Sequence, residues 1–286
     1  MNNAHTHKPK SSFVSAVLAV LILSACSGAK FERSTGDDGT GAGGTPGTPP
    51  GPVCGPFGGG GGSGKSGLMG SIHYLKDNQP RYNNLYDIVR NGNLITTELF
   101  LGSLYVPTRA WESGFKTQDG TLLRKENGEV LVEYFALQLT SLLKLKTGDA
   151  EGKYQFAILA DDGAVMRINT GGGDTRIIGH EGYTETRLMC ANQAVNFTTA
   201  SKHPVKIDYF QGPRRHIALT LLWRRWPSDN NWQDPLCNQS GNDLFFDSSV
   251  DPSRPQQAWN DLMARGWRVV APANFELPNN ITNPCP

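Results

Sequence analysis

The sequence has no long hydrophobic run, little charge and few cysteines, and each shortage excludes a class of protein. Its main apolar stretch, residues 13–23, has about 11 residues, whereas a helix needs about 20 to cross a bilayer. The formal net charge of +1 offers no electrostatic surface for nucleic acid. The five cysteines include no CxxC pair. We therefore expect no retained transmembrane helix, no nucleic-acid partner and no structural zinc.

Familiar catalytic signatures are also missing. No HExxH motif, nucleophile elbow or Cys-His signature occurs. Asp161 and Asp162 are neighbouring acids, but a glycosidase places its two carboxylates on opposite sides of the bond it cleaves, about 5–9.5 Å apart. We therefore expect a protein that is not an enzyme and has no catalytic residue.

One motif points to nucleotide binding, and its neighbours contradict it. The pattern GxxxxGKS matches from Gly59 to Ser66. A working phosphate loop follows a buried strand and begins a helix. The preceding residues 51–58, GPVCGPFG, cannot form a central strand, and Gly67 and Gly70 disfavour a helix. We therefore expect no nucleotide partner.

The N-terminus has the pattern of an exported protein. Lys8 and Lys10 precede the apolar stretch, which leads into the tetrapeptide LSAC ending at Cys26. Basic residues, a short apolar core and small residues are typical of a secretory signal. The tetrapeptide resembles the lipobox of bacterial lipoproteins, which are cut before a cysteine that is then lipidated. The resemblance implies a signal peptide at 1–25 and an acylated Cys26, and an ordinary signal peptide is the alternative.

A low-complexity segment follows the cysteine. Residues 26–66 are rich in Gly, Pro, Thr and Ser and poor in large apolar residues. Such a composition cannot bury enough apolar surface to offset the entropy of ordering. We predict a disordered tether that holds a folded domain away from a membrane. Ser27 resembles the sorting signal of enteric lipoproteins, so we expect a lipid anchor in the outer membrane, with the domain on its periplasmic or its external face.

If Cys26 carries lipid, an even number of cysteines remains in an oxidising compartment. We predict two disulfides among them, in one of three connectivities that the sequence does not separate. Free thiols are the alternative. The four residues are Cys54, Cys190, Cys237 and Cys285.

The rest of the chain has mainly strand periodicity. Residues 154–160, 203–210 and 217–223 form apolar or alternating runs bounded by Gly, Pro and Asp turns. The one clear amphipathic pattern predicts a helix over 255–265, ended by Gly266. Many short strands with frequent turns predict an all-β sandwich or barrel.

A family resemblance supports that fold. The run 152–169, GKYQFAILADDGAVMRIN, resembles the central signature of the PA14 domain family, a Gly-x-Tyr-x-Phe strand followed by an Asp-Asp-Gly turn and a second strand. Other segments resemble the family's opening strand, later strand pair and closing segment, at 67–74, 203–223 and 267–278. The resemblance covers 67–278, with an insertion at about 227–266, and leaves 279–286 as a tail. It implies an all-β PA14-like sandwich or barrel with a small helical insertion near the C-terminus.

The resemblance also implies a site. In the lectin-like branch of the family, two aspartates joined by a cis peptide bond hold Ca²⁺, which binds glycan hydroxyls. Asp161 and Asp162 match that pair, so the resemblance implies calcium-dependent carbohydrate binding or adhesion with a glycan partner. Further ligands normally come from another loop, and the predicted carbohydrate-binding residues here are Asn230 and Asn231, with Trp232 to stack on a sugar ring.

The same aspartates have a purely structural interpretation. Asp-Asp-Gly is a good turn sequence, because aspartate caps backbone amides and Gly163 tolerates positive φ. The alternatives to a lectin are therefore a non-lectin envelope scaffold or protein-interaction module without a metal, and an accessory domain of glycan processing.

Overall fold

Strands make up most of the regular structure. The computed structural model describes residues 51–213, 215–229 and 232–286. Its helices are α1 (Leu85–Asn91) and α2 (Gln257–Ala264), with a 3-10 turn at Pro272–Asn274. The all-β prediction is confirmed. In chain order the strands are β1 (Val53–Cys54), β2 (Leu68–Tyr74), β3 (Asn93–Leu101), β4 (Tyr105–Ala110), β5 (Phe135–Leu143), β6 (Gly152–Asp161), β7 (Gly163–Asn169), β8 (Asp174–His180), β9 (Arg187–Cys190), β10 (Val195–Phe197), β11 (His203–Gln211), β12 (His216–Arg225), β13 (Phe246–Asp247), β14 (Arg254–Pro255), β15 (Arg268–Val269) and β16 (Phe275–Glu276).

The described strands form two large sheets and a small ribbon. The first sheet has the order β1-β3-β2-β5-β11-β7-β8, with β16 beside β5. The second has the order β10-β6-β12-β15, and β4 also pairs with β12 while β9 pairs with β6. The ribbon is β13-β14. The chain passes from the second sheet to the first between β6 and β7, where the Asp-Asp-Gly motif lies.

The main core lies between the two large sheets. Alternate residues of β11 in the first sheet, such as Ile207 and Tyr209, share one buried cluster with Phe156 and Ile158 of β6 in the second. Side chains alternate between the faces of a strand, so each strand contributes every second residue to this layer. Burial of this apolar surface is the main favourable contribution to folding.

The outer face of the second sheet is covered as well. Ala157 and Leu159 of β6 join a second cluster with Trp259 and Leu262 of α2 and with Trp267. A strand that is buried on both faces becomes a nearly continuous apolar run, as β6 is. Helix α2 lies in the segment 227–266 and matches the helix predicted over 255–265.

Helix α1 has no counterpart among the sequence predictions. Asn84 caps it, because the Asn84 side chain accepts a hydrogen bond from the Tyr86 amide at 2.9 Å. Leu85 and Ile88 pack on the outer face of the first sheet beside Phe210. Two turns of helix are too short for apolar periodicity to be distinguished from a strand.

The predicted tether is wrong for residues 51–66, which belong to the folded unit. Strand β1 pairs in parallel with β3, with Val53 opposite Leu99. Farther along, the Lys65 carbonyl accepts the Leu277 amide at 2.7 Å. A Cβ on Gly61 would lie 2.5 Å from the Cβ of Cys285, so the glycine allows close packing here. Residues 26–50 lie outside the described residues.

The predicted tail is likewise part of the fold. The Asn283 amide donates to the Gly64 carbonyl at 2.7 Å, and the Asn283 side chain donates to the Gly61 carbonyl. Cys285 is buried. Residues 53–67 and 275–285 thus lie side by side, and we call this pair of segments the terminal seam.

Both predicted disulfides form, and the structure gives their connectivity. Cys54 is bonded to Cys285 in the terminal seam, and Cys190 is bonded to Cys237. Cys26, the predicted lipidation site, lies outside the described residues. Neither described helix has the length and apolar character needed to cross a membrane.

Candidate functional site

The two predicted aspartates lie at the crossing between the sheets. Asp161 is the last residue of β6, and the peptide bond that joins it to Asp162 is cis, as the resemblance implies. Gly163 follows without a positive φ. A Cβ at Gly163 would lie 2.3 Å from the ring of Phe210, so glycine is needed for close packing and not for backbone freedom.

The carboxylate of Asp162 is fixed by backbone amides from two loops. The Gly212 amide donates to Oδ2 at 2.7 Å, and the Thr184 amide donates to Oδ1 at 3.1 Å. Asp162 is only 6% exposed, and this burial raises its pKa above the usual value. Asp162 therefore links the 184 and 212 loops to the end of β6.

Asp161 is equally buried and lies beside a second negative charge. The Thr186 hydroxyl donates to Asp161 Oδ2 at 3.1 Å, and the Tyr209 hydroxyl donates to the Asp161 carbonyl. Burial, followed by repulsion from Asp162, raises the pKa of Asp161 to about 7. Within the described residues, no lysine or arginine forms an ion pair with either carboxylate.

An open pocket of about 270 Å³ adjoins Asp161. Both carboxylate and amide oxygens lie around it, and Asn242 is tied to the aspartates, since its Oδ1 accepts the Thr186 amide at 3.0 Å. The lining residues are Asp161, Thr184, Glu185, Pro213, Arg215, His216 and Asn242.

The oxygen atoms around the pocket are of the types that a hard cation prefers as ligands. Ca²⁺ takes about 6–8 oxygen ligands from carboxylates, amides, carbonyls, water or hydroxyls. Asp161 and Glu185 line the pocket with carboxylates, and Asn242 lines it with an amide. Asp162 follows Asp161 in the chain, and its two oxygens accept the Thr184 and Gly212 amides. In the part of the chain that the structure describes, no group of three or more His, Cys, Asp or Glu is placed to hold a metal ion. The residues therefore fit Ca²⁺ only if amide, carbonyl, water or sugar oxygens complete the coordination.

Comparison with known proteins adds a set of solved structures. No family model and no curated protein matches the chain. The PA14 sugar-binding domain from an RTX adhesin is 16% identical with a TM-score of 0.35, and the match covers 56% of this chain and 90% of that one. The Epithelial Adhesin 6 A domain from Candida glabrata, solved with Galβ1-3GlcNAc, is 16% identical with a TM-score of 0.37, over 73% of this chain and 98% of that one. The PA14 domain of the MpAFP antifreeze protein is 11% identical with a TM-score of 0.34, over 58% and 86%.

The chain is similar to PA14 domains. At these identities and TM-scores, no conclusion about activity follows from the similarity, and the site must be judged from its own residues. We refer to the folded unit described above as the PA14-like domain.

Of the other predicted carbohydrate residues, Trp232 is the one that the structure describes, and it does not meet the aspartates. Asn230 and Asn231 lie outside the described residues. The Trp232 carbonyl accepts the Gln155 side-chain amide at 2.9 Å. Gln155 precedes Asp161 by six residues on β6, which places them roughly 20 Å apart at about 3.3 Å per residue. Trp232 instead lines a separate pocket of about 420 Å³.

Sequence reasoning did not find the residues that surround the pair. Distant segments of the chain meet at this end of the sheets. Thr186 contacts Asp161, Gly212 contacts Asp162, and Asn242 contacts Thr186. Nothing in a single sequence distinguishes Asn242 from the other asparagines of the polar segment 228–242.

Proposed function

We propose that the PA14-like domain binds carbohydrate through a calcium ion held at Asp161 and Asp162. The observation that carries the proposal is a pair of adjacent, buried carboxylates, neither of them in an ion pair with a lysine or arginine among the described residues. Asp161 of this pair borders an open pocket that Arg215 and His216 also line. Two such charges are costly to bury together, and a bound cation offsets both the desolvation and the repulsion.

The surrounding residues have distinct roles in this proposal. Gly212 and Thr184 fix the carboxylate of Asp162, and Thr186 orients that of Asp161. When bound, the ion supplies positive charge and open coordination positions for sugar hydroxyls. Glu185 and Asn242 border the pocket that the sugar would enter.

One observation favours a second candidate, a protein-interaction or scaffold module without metal. Both oxygens of Asp162 already accept backbone hydrogen bonds, as they would if the aspartates only shaped a turn. The two candidates differ in what calcium does to stability, because a ligand bound only by the folded state must raise its stability.

The deciding experiment is thermal unfolding with calcium and with a chelator. We expect calcium to raise the Tm of the wild type, with about 2.7 kcal/mol of stabilisation when the ion is at about 100 times its Kd. The variant Asp161→Asn/Asp162→Asn should show no shift. Asp208→Asn is the matched control, because Asp208 is also a buried carboxylate but pairs with Arg167 at 2.7 Å. If calcium leaves the Tm of the wild type unchanged, the result favours the module without metal.

A glycan array then tests the ligand. The array should include Galβ1-3GlcNAc, which is bound by the similar Candida glabrata domain. We expect binding that a chelator abolishes and that the Asp161→Asn/Asp162→Asn variant lacks. Hydrolysis of any glycan during the assay would contradict our expectation that the domain is not an enzyme.

We also propose that the domain is anchored by lipid at Cys26 in the outer membrane. The support is the sequence pattern that ends at Cys26. Labelling of the full chain with a fatty-acid analogue should modify the wild type but not Cys26→Ala. Membrane fractionation should place the lipidated protein with the outer membrane, and label in the Cys26→Ala variant would contradict this site.

A further inference from the structure

Residues 237–242 run antiparallel to β9 and are joined to it by a ladder of backbone hydrogen bonds. The Asn238 amide donates to the Leu188 carbonyl at 2.7 Å, and the Leu188 amide donates to the Gln239 carbonyl at 3.1 Å. The Gly241 amide donates to the Thr186 carbonyl at 2.9 Å. We call residues 237–242 the bridged segment, since the disulfide from Cys237 to β9 closes one end of the ladder.

The other end of the ladder reaches the candidate cation site. Asn242 Oδ1 accepts the Thr186 amide at 3.0 Å, and the Thr186 hydroxyl donates to Asp161 Oδ2 at 3.1 Å. Thr186 is fully buried, so its hydroxyl cannot exchange the bond to Asp161 for one to bulk water. A continuous series of contacts therefore leads from the disulfide to the carboxylate of Asp161.

Besides the ladder and the disulfide, the flanks of the bridged segment hold it near β9, since Leu236 and Leu244 pack against the cluster that contains Leu188. Residues 238–240 are exposed, and backbone hydrogen bonds at exposed positions open easily. Asp234 anchors the preceding turn through Arg224 of β12 and Arg265 after α2, and neither arginine belongs to β9. The disulfide is thus the covalent link that keeps the bridged segment in register with β9.

We propose that the Cys190–Cys237 disulfide positions Asn242, and through it Thr186 and Asp161, for cation binding. Without the bridge the ladder opens, the Thr186 amide loses Asn242, and the carboxylate of Asp161 is no longer held in one orientation. Residues outside the coordination sphere that orient a ligand affect metal affinity strongly. The inference rests on the proposed function, because it takes the cation site at Asp161 and Asp162 as given.

Calorimetric titration with calcium tests the inference, and the chain offers a matched control. Cys190→Ser/Cys237→Ser should bind calcium about tenfold more weakly than the wild type. Cys54→Ser/Cys285→Ser removes the other bridge, at the β1 edge of the first sheet, five strand spacings or roughly 24 Å from β7. It should bind calcium like the wild type. Circular dichroism at the titration temperature establishes that each variant is folded.

A second pair of variants tests the same series of contacts without removing a disulfide. Thr186→Val keeps the shape of the side chain but loses the hydroxyl that donates to Asp161, and we expect calcium affinity to fall about tenfold. Thr186→Ser keeps the hydroxyl and should restore it. A merely structural role for Thr186 would lower the Tm of the metal-free protein and leave the calcium Kd unchanged.

The possible results separate the inference from the proposed function. If the wild type binds calcium and both Cys190→Ser/Cys237→Ser and Thr186→Val bind it equally well, the inference alone is wrong. If removal of either disulfide weakens binding to the same extent, general loosening explains the effect and the inference is again wrong. If the wild type binds no calcium, the proposed function fails and the inference fails with it. Should Cys190→Ser/Cys237→Ser not fold, the Thr186 variants decide.

Discussion

At the scale of single residues, Asp162 has a structural role that is separate from calcium. Its two oxygens accept the Gly212 and Thr184 amides, and the first of these bonds is buried. A buried donor left without an acceptor costs about 1–3 kcal/mol. We therefore expect Asp162→Ala to lower the free energy of unfolding by about that amount in chelator. Asp162→Asn keeps one acceptor oxygen and should lose less. Urea unfolding measures both, and equal stability of Asp162→Ala and the wild type would contradict the role.

Asp161 makes the stability of the metal-free protein depend on pH. Its pKa rises from 3.8 to about 7 on folding, so the folded state binds more protons between these values. Stability from this group is therefore complete below about pH 4 and is lost as the pH rises through 7, by up to about 4 kcal/mol. We expect the urea midpoint in chelator to fall from about pH 4 to about pH 7 and to level off at higher pH. Asp161→Asn, which does not titrate, should show a smaller fall, and a parallel profile in the two proteins would contradict the raised pKa.

At the scale of elements, the sequence predicted what is local and missed what depends on distant partners. Apolar runs between turns predict strands β6, β7, β11 and β12. The position of the Asp-Asp pair at a turn between two strands is also predicted from the adjacent sequence. Residues 53–66 of the terminal seam have the composition of a disordered tether, and their order depends on hydrogen bonds to the seam's other segment, near the C-terminal end of the sequence. Asn242 approaches Asp161 for the same kind of reason, through pairing of the bridged segment with β9. Composition and periodicity carry no information about such pairings.

The terminal seam makes a prediction about its glycines. A Cβ on Gly61 would lie 2.5 Å from Cys285 Cβ and 2.6 Å from Cys285 Sγ. Neither atom can move without displacing the disulfide, so Gly61→Ala should destabilise the protein by about 1–3 kcal/mol through overpacking. Gly172→Ala is the control, because a Cβ there would have no neighbour within 4 Å and the residue does not need a positive φ. If urea unfolding finds the two variants equally stable, the seam is not closely packed.

At the scale of the whole molecule, the Cys54 end of the seam and the candidate site lie toward opposite edges of the first sheet. Strand β1 of the seam is at one edge, and β7, which follows Asp162, is next to the strand at the other. Each region has its own disulfide. The two bridges can therefore have separate effects, one on global stability and the other on the site.

The lengths of chain that the two bridges span predict which one contributes more to stability. Cys54 and Cys285 are 231 residues apart in sequence, and Cys190 and Cys237 are 47 apart. A crosslink lowers the entropy of the unfolded chain roughly with the logarithm of the loop it closes, so the longer loop should contribute about 1 kcal/mol more than the roughly 4 kcal/mol of the shorter. We expect urea unfolding in chelator to show a larger loss for Cys54→Ser/Cys285→Ser than for Cys190→Ser/Cys237→Ser. The opposite order would mean that the folded-state contacts of the bridged segment outweigh the entropy of the longer loop.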